Sequence, residues 1–248
     1  MSAIQFHQIE KRFSPESLVL SVDSLEISAG EFVSLVGPSG CGKSTLLRLV
    51  ASLDSPTQGE LLLDDGADIE RAFVFQDANL IPWRTAWQNV QLPLELRRSL
   101  NSADRQNITA ALQLVGLREE DFEKYPRMLS GGMRMRVSLA RALVTEPRIL
   151  LLDEPFAALD DLLRNQLNEQ LLEIWQRQKW TGLFVTHNVP EAVFLSQRIL
   201  VMHARPGRIV ADLKVPFEFP RTSELRADPA FARFCGEVVG HLAGVAHA

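Results

Sequence analysis

One stretch decides the fold: Gly37-Pro38-Ser39-Gly40-Cys41-Gly42-Lys43-Ser44, preceded by the apolar run Phe32-Val33-Ser34-Leu35-Val36. The run predicts a strand, and the leucines after the loop predict a helix with a buried stripe. Glycines let backbone N–H groups turn around a phosphate, and a helix N-terminus favours negative charge. Lys43 would supply charge to the β- and γ-phosphates, and the Ser44 hydroxyl is placed to ligate Mg²⁺. The pattern therefore indicates a phosphate-binding loop.

A second stretch, Ile149-Leu150-Leu151-Leu152-Asp153-Glu154, places two carboxylates directly after a strand-sized apolar run. Open α/β sheets bind ligands at the carboxyl ends of their strands, so these side chains are candidates for chemistry. Asp153 would hold Mg²⁺, directly or through a water, and Glu154 would act as the general base on the attacking water. The alternative is an acidic pair that only solvates a turn.

A third stretch, Leu129-Ser130-Gly131-Gly132-Met133, opens onto the helical run from Arg134 to Leu143. It offers a hydroxyl and exposed backbone N–H groups at a helix N-terminus, which suit a γ-phosphate. If it lies on an inserted helical lobe, it cannot reach the phosphates of its own chain. The pattern then predicts a γ-phosphate presented by a second copy. The alternative is an ordinary serine N-cap followed by flexible glycines.

Composition sets limits on the class of protein. The chain has 46% hydrophobic and 23% charged residues and a net charge of -5, which does not favour nonspecific nucleic-acid binding. Its longest apolar runs are strand-sized and too short for a membrane-spanning helix. The N-terminal sequence has no basic region followed by an apolar block, so we expect no secretory signal. The two cysteines, Cys41 and Cys235, predict no disulfide framework. We therefore expect a cytosolic protein that serves a membrane, if at all, from outside the bilayer.

The order of apolar patterns predicts an α/β fold. Short strands are predicted early in the chain, at residues 4–6, 18–22, 25–27, 32–36, 60–63 and 72–75. Later strands are predicted at 148–152, 182–186 and 198–202, with an amphipathic helix at 161–178. Such alternation argues for a mainly parallel sheet covered on both faces. Helical periodicity predicts an inserted lobe at about 82–145 within a domain of residues 1–215, and a helical appendage at 216–248.

Together these stretches resemble the ATP-binding-cassette ATPase subunits of membrane transporters, over nearly the whole chain. The resemblance implies a P-loop ATPase core with a mainly parallel sheet, an N-terminal antiparallel β part and an inserted helical lobe. It also implies ATP and Mg²⁺ as cofactors, and a homodimer with ATP between the subunits. The loop residues that would contact the nucleotide are Gly37, Pro38, Ser39, Gly40, Cys41, Gly42, Lys43, Ser44 and Thr45.

The resemblance assigns roles to four further residues. Gln76, after a predicted strand, matches the glutamine loop, whose amide touches Mg²⁺ or the water. His187 matches the switch histidine, and a neutral imidazole there can hydrogen-bond the γ-phosphate and position the water. Asp160 lies in the matching D-loop, which contacts the partner subunit. Phe13 stands where an aromatic residue, usually tyrosine, stacks on adenine. The alternatives are an ordinary loop glutamine, a structural histidine and a core phenylalanine.

One departure from the family pattern is Met133, which replaces the glutamine most common at the end of the signature segment. Any hydrogen bond from that side chain is lost, whereas Ser130 and the two glycines are kept. A second expectation concerns Cys41, because a helix N-terminus tends to lower the pKa of a thiol. Alkylation of Cys41 is then expected to inactivate the enzyme, and MgATP to protect it.

The segment from Leu80 to Val90, with the signature segment, is similar to the ATPases of bacterial nitrate/sulfonate/taurine-type importers. This similarity implies integral-membrane permease subunits and, through them, a periplasmic or extracellular solute-binding protein. It also implies a place on the cytoplasmic face of the inner membrane and no nucleic-acid partner. Residues 79–90 would form a groove for a permease helix, with Trp83 and Trp87 as anchors and Arg84 available to a carboxylate. Two core tryptophans are the alternative.

The competing functions are an ABC-type ATPase that energises a different transporter and a non-transport ATPase of the same superfamily. A chromosome-structure ATPase would need a long coiled coil, and the sequence has no sustained heptads. A translation-associated relative would carry two cassettes, and the sequence shows one. A small-molecule kinase would lack the Ser-Gly-Gly helix. These comparisons favour the energising subunit of an importer.

Overall fold

The computed structural model describes residues 2–64, 70–97 and 99–246. The chain divides into two units, one made of Met1–Ile69 with Lys179–Ala248 and the other of Glu70–Gln178. The sequence-based bounds of the lobe (82–145) and of the appendage (216–248) stay predictions. Residue 98 of the former and residues 247–248 of the latter lie outside the described residues.

The first unit begins with an antiparallel sheet, as predicted. Its strands are β1 (Ser2–Ser14), β2 (Ser17–Ser28) and, after the first helix, β4 (Gln58–Leu63), in the order β2-β1-β4. The prediction of separate strands at 18–22 and 25–27 is wrong, because β2 is continuous. Its pairing with β1 keeps one register from Ile27 to Leu20 and carries the strand across the polar residues Asp23 and Ser24.

A second, mainly parallel sheet forms the core of the same unit. Strand β3 (Phe32–Val36) lies between β7 (Thr181–Val185) and β8 (Arg198–His203) and is parallel to both, with β9 (Arg208–Lys214) antiparallel to β8. Every residue of β3 and β7 is buried, which explains why both sequences are mostly apolar. Helix α1 (Lys43–Val50) contacts β7, and α6 (Val189–Leu195) contacts β3.

The C-terminal part of the first unit is helical. A 3₁₀ turn at Ser223–Ala227 precedes helix α7 (Pro229–Ala246), which contacts α6 and β8. Among the residues of α7 whose burial the structure describes, Phe231 and Val238 are the buried apolar ones. The helical pattern predicted for this tail is therefore present and packs on the sheet unit.

The second unit combines a parallel strand pair with a group of helices. Strand β5 (Arg71–Val74) runs parallel to β6 (Ile149–Asp153). Helices α2 (Ala86–Arg97), α3 (Ser102–Leu114) and α4 (Gly131–Leu143) pack on one another, and α5 (Asp161–Gln178) ends the unit. The three-helix group confirms the predicted helical lobe. Among the helices described, none combines the length and apolar character that a membrane span requires.

Candidate active site

The glycine-rich loop of the first unit joins the end of β3 to the start of α1. Gly40 and Gly42 have φ angles of 77° and 92°, a region that favours glycine because it has no Cβ. Gly42 is also the N-cap of α1, so the first N–H groups of the helix face the loop. Pro38, Ser39 and Gly40 are exposed, and Ser44 and Thr45 are half-buried. The backbone thus has the geometry of an anion-binding loop.

The side chain of Lys43 folds back into this loop. Only 6% of the residue is exposed, and its Nζ donates to the carbonyl oxygens of Gly37 at 2.8 Å and Pro38 at 3.1 Å. The ammonium group is therefore held within the turn by backbone oxygens, and the loop carries a fixed positive charge. A lysine ammonium in this setting binds phosphate as a point charge.

The expectation that the pKa of the Cys41 thiol is lowered is wrong, whereas inactivation by alkylation stays a prediction. The residue is completely buried, and burial raises the pKa of its thiol; Lys43 acts in the opposite direction with a smaller effect. The helix N-terminus does not compensate for the loss of water around a thiolate. Burial likewise raises the pKa of Cys235 to about 11.

Both thiols are therefore expected to react slowly with iodoacetamide near neutral pH in the native protein. The thiolate is the nucleophile, and its fraction falls as the pKa rises above the ambient pH. Mass spectrometry of the labelled peptides measures each cysteine separately, and unfolding in urea should accelerate both reactions. Fast labelling of native Cys41 that MgATP suppresses would contradict this expectation.

His187 follows β7 at the same edge of the sheet as the loop. Leu35 of β3 pairs with Val185 of β7 in parallel register, so Gly37 and His187 both emerge two residues beyond one paired position. The His187 side chain is exposed. The structure thus brings these two predicted elements to one edge, as the strand ends suggested.

A buried hydrogen-bond network holds the turn that carries His187. Thr186 Oγ1 donates to Glu191 Oε2 at 2.5 Å and accepts from the N–H of Asn188 at 3.0 Å. The Asn188 side chain in turn accepts from the Glu191 N–H at 3.0 Å and caps α6. Sequence reasoning missed the role of Thr186 and Glu191 as a brace, because these hydrogen bonds form only in the folded turn.

Phe13 lies near the end of β1 and is 63% exposed, which excludes the core alternative. The Lys11 ammonium lies 5.2 Å from its ring centroid, within range of a cation–π contact. Lys11 is anchored by Asp54 at 2.5 Å, and this hydrogen bond lowers the pKa of the Asp54 carboxyl. An exposed aromatic face beside a fixed cation is suited to stacking on a flat ring.

In the second unit, the carboxyl ends of β5 and β6 bring Gln76 and Glu154 to one edge. Val74 pairs with Leu152 in parallel register. Gln76 and Glu154 each follow two positions after one of these paired residues. Asp153, the last residue of β6, and Glu154 are half-buried, whereas Gln76 is exposed. Glu154 has a φ of 47°, the left-handed region, which costs a non-glycine residue on the order of 1–3 kcal/mol. Backbone strain of this kind clusters at functional sites.

Sequence reasoning missed the role of Arg141, which holds the segment after Gln76. Its guanidinium donates to the carbonyl oxygens of Ala78 at 2.8 Å and Asn79 at 2.9 Å. Burial lowers the pKa of Arg141. The link between α4 and the glutamine loop spans more than 60 residues of sequence, and an arginine on a helix face gives no signal of it.

The Ser-Gly-Gly segment starts α4. Ser130 is its N-cap, and Oγ accepts from the N–H of Met133 at 3.2 Å. The structure therefore realises the capping alternative, yet the exposed hydroxyl keeps its own hydrogen as a donor. The two glycines differ: a Cβ at Gly132 would lie 2.5 Å from Leu163 Cδ2, whereas Gly131 is exposed with its nearest contact at 3.9 Å.

Asp160 also acts as a helix cap in the structure. Its Oδ1 accepts from the N–H of Leu163 at 3.0 Å, at the start of α5. The residue is exposed, so its predicted contact with a partner subunit stays a prediction.

A loop of this construction, between a buried parallel strand and a helix, defines the P-loop class of nucleotide-binding proteins. Residues 20–157 match the family model described as ABC transporter. The chain therefore belongs to the ABC transporter family, and it is an ATP-binding ATPase of that family. This confirms the fold and the enzyme class that the sequence predicts.

Two curated relatives illustrate the similarity. The nitrate import ATP-binding protein of Synechocystis sp. is 42% identical over 231 residues, which cover 89% of this chain and 86% of the relative. The aliphatic sulfonates import ATP-binding protein of Bacillus cereus is 40% identical over 232 residues, which cover 89% of this chain and 90% of the relative.

A solved structure supports the same conclusion. It is a dimeric ATP-binding cassette in a post-hydrolysis state with ADP and phosphate, 33% identical to this chain, with a TM-score of 0.75. The match covers 87% of this chain and all of that chain.

Proposed function

We propose that the protein is the ATP-hydrolysing subunit of a membrane importer for small oxyanions such as sulfonates, taurine or nitrate. Its similarity to nitrate and aliphatic sulfonates import proteins extends over nearly nine-tenths of the chain, which supports this assignment. The structural observation that carries it is a cavity of the second unit that Trp87 helps to line, in the segment that follows the exposed Trp83. The protein would act at the cytoplasmic face of the inner membrane.

Each candidate residue has a role in the proposed hydrolysis. The loop from Gly37 to Thr45 binds the phosphates through its N–H groups and Lys43, and Phe13 stacks on adenine. Glu154 accepts a proton from the attacking water, while His187 and Gln76 orient that water and the γ-phosphate. The charge of the phosphates is neutralised before the bond to the γ-phosphate breaks, so positioning and electrostatics supply the catalysis.

Magnesium fits the proposed chemistry. In the described part of the chain, no group of three or more His, Cys, Asp or Glu side chains could cage a metal. Mg²⁺ in phosphoryl-transfer sites uses one or two protein ligands together with substrate phosphates and waters, so a cage is not required. Asp153, the hydroxyl of Ser44 and the amide of Gln76 have the oxygen donors it prefers. Bound there, the ion would neutralise charge on the phosphates.

We further propose a homodimer in which Ser130, Gly131 and Gly132 contact the ATP bound by the partner copy. Ser130 and Gly131 are exposed, and the start of α4 presents N–H groups and a hydroxyl donor. Asp160, in the exposed turn before α5, would contact the partner at the same interface. The dimeric cassette solved with ADP and phosphate is consistent with this arrangement.

A cavity of about 560 Å³ supports the proposed groove for the permease helix, because Trp87 and Gln88 of residues 79–90 line it. It is lined by residues of the helical lobe, Trp87, Gln88, Gln91, Arg105, Thr109, Glu119, Phe122 and Glu123. Trp83, just before α2, is 76% exposed, which excludes the core alternative for that tryptophan. The expectation that Arg84 is available to a partner is wrong, because it pairs with Glu95 at 2.6 Å. The permease would in turn receive cargo from a solute-binding protein.

Trp83→Ala should preserve the ATPase activity of the isolated protein, weaken its co-purification with the permease and abolish uptake of a sulfonate or nitrate. The reason is that a large exposed aromatic contributes binding energy to a partner but none to its own core. Uptake into proteoliposomes and ATPase assays of the isolated chain measure the two effects.

The matched control is Leu96→Ala, since Leu96 is a large apolar residue of α2 that is 78% exposed and lies outside residues 79–90. Full uptake by the Trp83 variant would refute the groove. Stimulation of the wild-type ATPase by DNA or ribosomes rather than by a permease would refute the proposed function itself.

A further inference from the structure

The turn between β8 and β9 is hydrogen-bonded to β2 through a single glycine. The N–H of Gly207 donates to Val19 O at 2.8 Å, and Gly207 O accepts from the N–H of Ser21 at 2.8 Å. Leu20, between these two partners, forms an isolated parallel bridge with Gly207. Both the N–H and the carbonyl oxygen of Gly207 thus bind the turn to β2 of the antiparallel sheet.

Gly207 also lies directly against the glycine-rich loop. A Cβ at this position would collide with the carbonyl oxygen of Cys41 and would lie 2.9 Å from Val19 O. These obstacles are backbone atoms, which cannot rotate away as a flexible side chain would. Its backbone does not adopt the positive φ that favours glycine, so the requirement is one of space.

Other contacts place the loop against the same two strands. A Cβ at Gly37 would lie 2.7 Å from Met202 O on β8, and one at Gly42 would lie 3.3 Å from Leu20 Cδ1 on β2. The loop backbone is therefore packed at close range against β2 and the end of β8. Gly207 lies where the β8–β9 turn, β2 and the loop come together.

We propose that Gly207 is a positioning residue for nucleotide binding. By lacking a side chain, it lets the β8–β9 turn and β2 hold the Cys41 carbonyl in place. The peptide unit is planar, so the Cys41 carbonyl and the Gly42 N–H turn together. Displacing the carbonyl therefore redirects an N–H of the loop and disturbs the cap of α1. This inference rests on the proposed role of the loop in phosphate binding.

Gly207→Ala should weaken MgATP binding by at least about tenfold, which corresponds to the loss of a well-directed charge-assisted contact. Gly236→Ala is the matched control, because Gly236 is exposed on α7 and a Cβ there meets no described heavy atom within 4 Å. That variant should bind MgATP as the wild type does. Titration with a fluorescent ATP analogue measures both affinities.

The thiol of Cys41 reports on the loop independently of nucleotide. Gly207→Ala should accelerate labelling of Cys41, which is fully buried in the wild type, and leave Cys235 unchanged. General unfolding would expose both cysteines, so a selective increase identifies local displacement. Labelling of Cys41 at the wild-type rate would overturn the inference. Equal acceleration at both cysteines would show that the variant unfolds, and hydrogen exchange in the wild-type protein then decides.

Hydrogen exchange in the wild-type protein tests the same link if the alanine variant does not fold. MgATP should slow exchange of the Gly207 and Ser21 amides, although neither belongs to the loop. Slowing confined to the loop would overturn the positioning role alone. Lys43→Ala separates the two proposals. Unchanged ATP affinity in that variant would refute the phosphate site. Weaker ATP binding by Lys43→Ala together with wild-type affinity in Gly207→Ala would refute only the role of Gly207.

Discussion

Glu154→Gln should lower the rate of ATP hydrolysis by roughly 10²- to 10⁴-fold, the range contributed by a positioned general base. The Glu154 carboxylate is proposed to accept a proton from the attacking water, and a glutamine amide of nearly the same size cannot. ATP affinity should change little, because the phosphate loop and Lys43 are unaltered. The variant should therefore accumulate as an ATP-bound dimer that is visible by light scattering.

Phosphate release and equilibrium ATP binding, measured on the same preparation, separate these two effects. Glu173→Gln is the matched control, since it makes the same charge change at an exposed position of α5. It should hydrolyse ATP at the wild-type rate. A Glu154→Gln protein that turns over within a few-fold of wild type would show that another group activates the water.

Ser130→Arg should abolish turnover while each monomer still binds ATP. The residue is exposed, so arginine fits the monomer without disturbing its core, but it adds bulk and charge where the partner's γ-phosphate is proposed to bind. Loss of the Ser130 cap alone should cost only about 1 kcal/mol of stability. Steady-state hydrolysis and ATP binding by the monomer are the measurements.

Asn101→Ala controls for the loss of a helix cap in the same unit. Asn101 forms a capping box at the start of α3 and has no proposed role in catalysis. Its replacement should leave turnover intact at a similar cost in stability. If Asn101→Ala and Ser130→Arg lower turnover equally, weakening of the helical lobe explains both.

Much of the fold could be predicted because its signals are local. The strand before the glycine-rich loop and the strand that ends in Asp153 are short runs that each contain four apolar residues, and the structure places both in parallel pairings. Strand β9 was missed, because its alternating residues are mostly exposed and carry three charges. The sequence predicts two strands in place of β2, because the polar residues Asp23 and Ser24 interrupt its apolar pattern. Pairing with β1 keeps the strand continuous there.

Some features of the candidate site could likewise be predicted from local sequence, and others could not. The glycine spacing and Lys43 were predictable, because their chemistry is contained in a few consecutive residues. Two other features depend on long-range contacts. They are the hydrogen bonds from Arg141 to Ala78 and Asn79, and the packing of Gly207 against Cys41. The burial of Cys41 reverses the expected shift of its pKa for the same reason. Such effects follow from tertiary packing, which no local pattern encodes.

We propose that each ATP is hydrolysed between two copies of the chain, by Lys43 and Glu154 of one copy and Ser130 of the other. Mixing Lys43→Ala chains with Ser130→Arg chains tests it most directly, since a heterodimer contains one intact site and one doubly defective site. Single-turnover hydrolysis by purified heterodimers is the measurement. We expect the heterodimer to hydrolyse ATP although neither parent homodimer does. A heterodimer as inactive as its parents would contradict it.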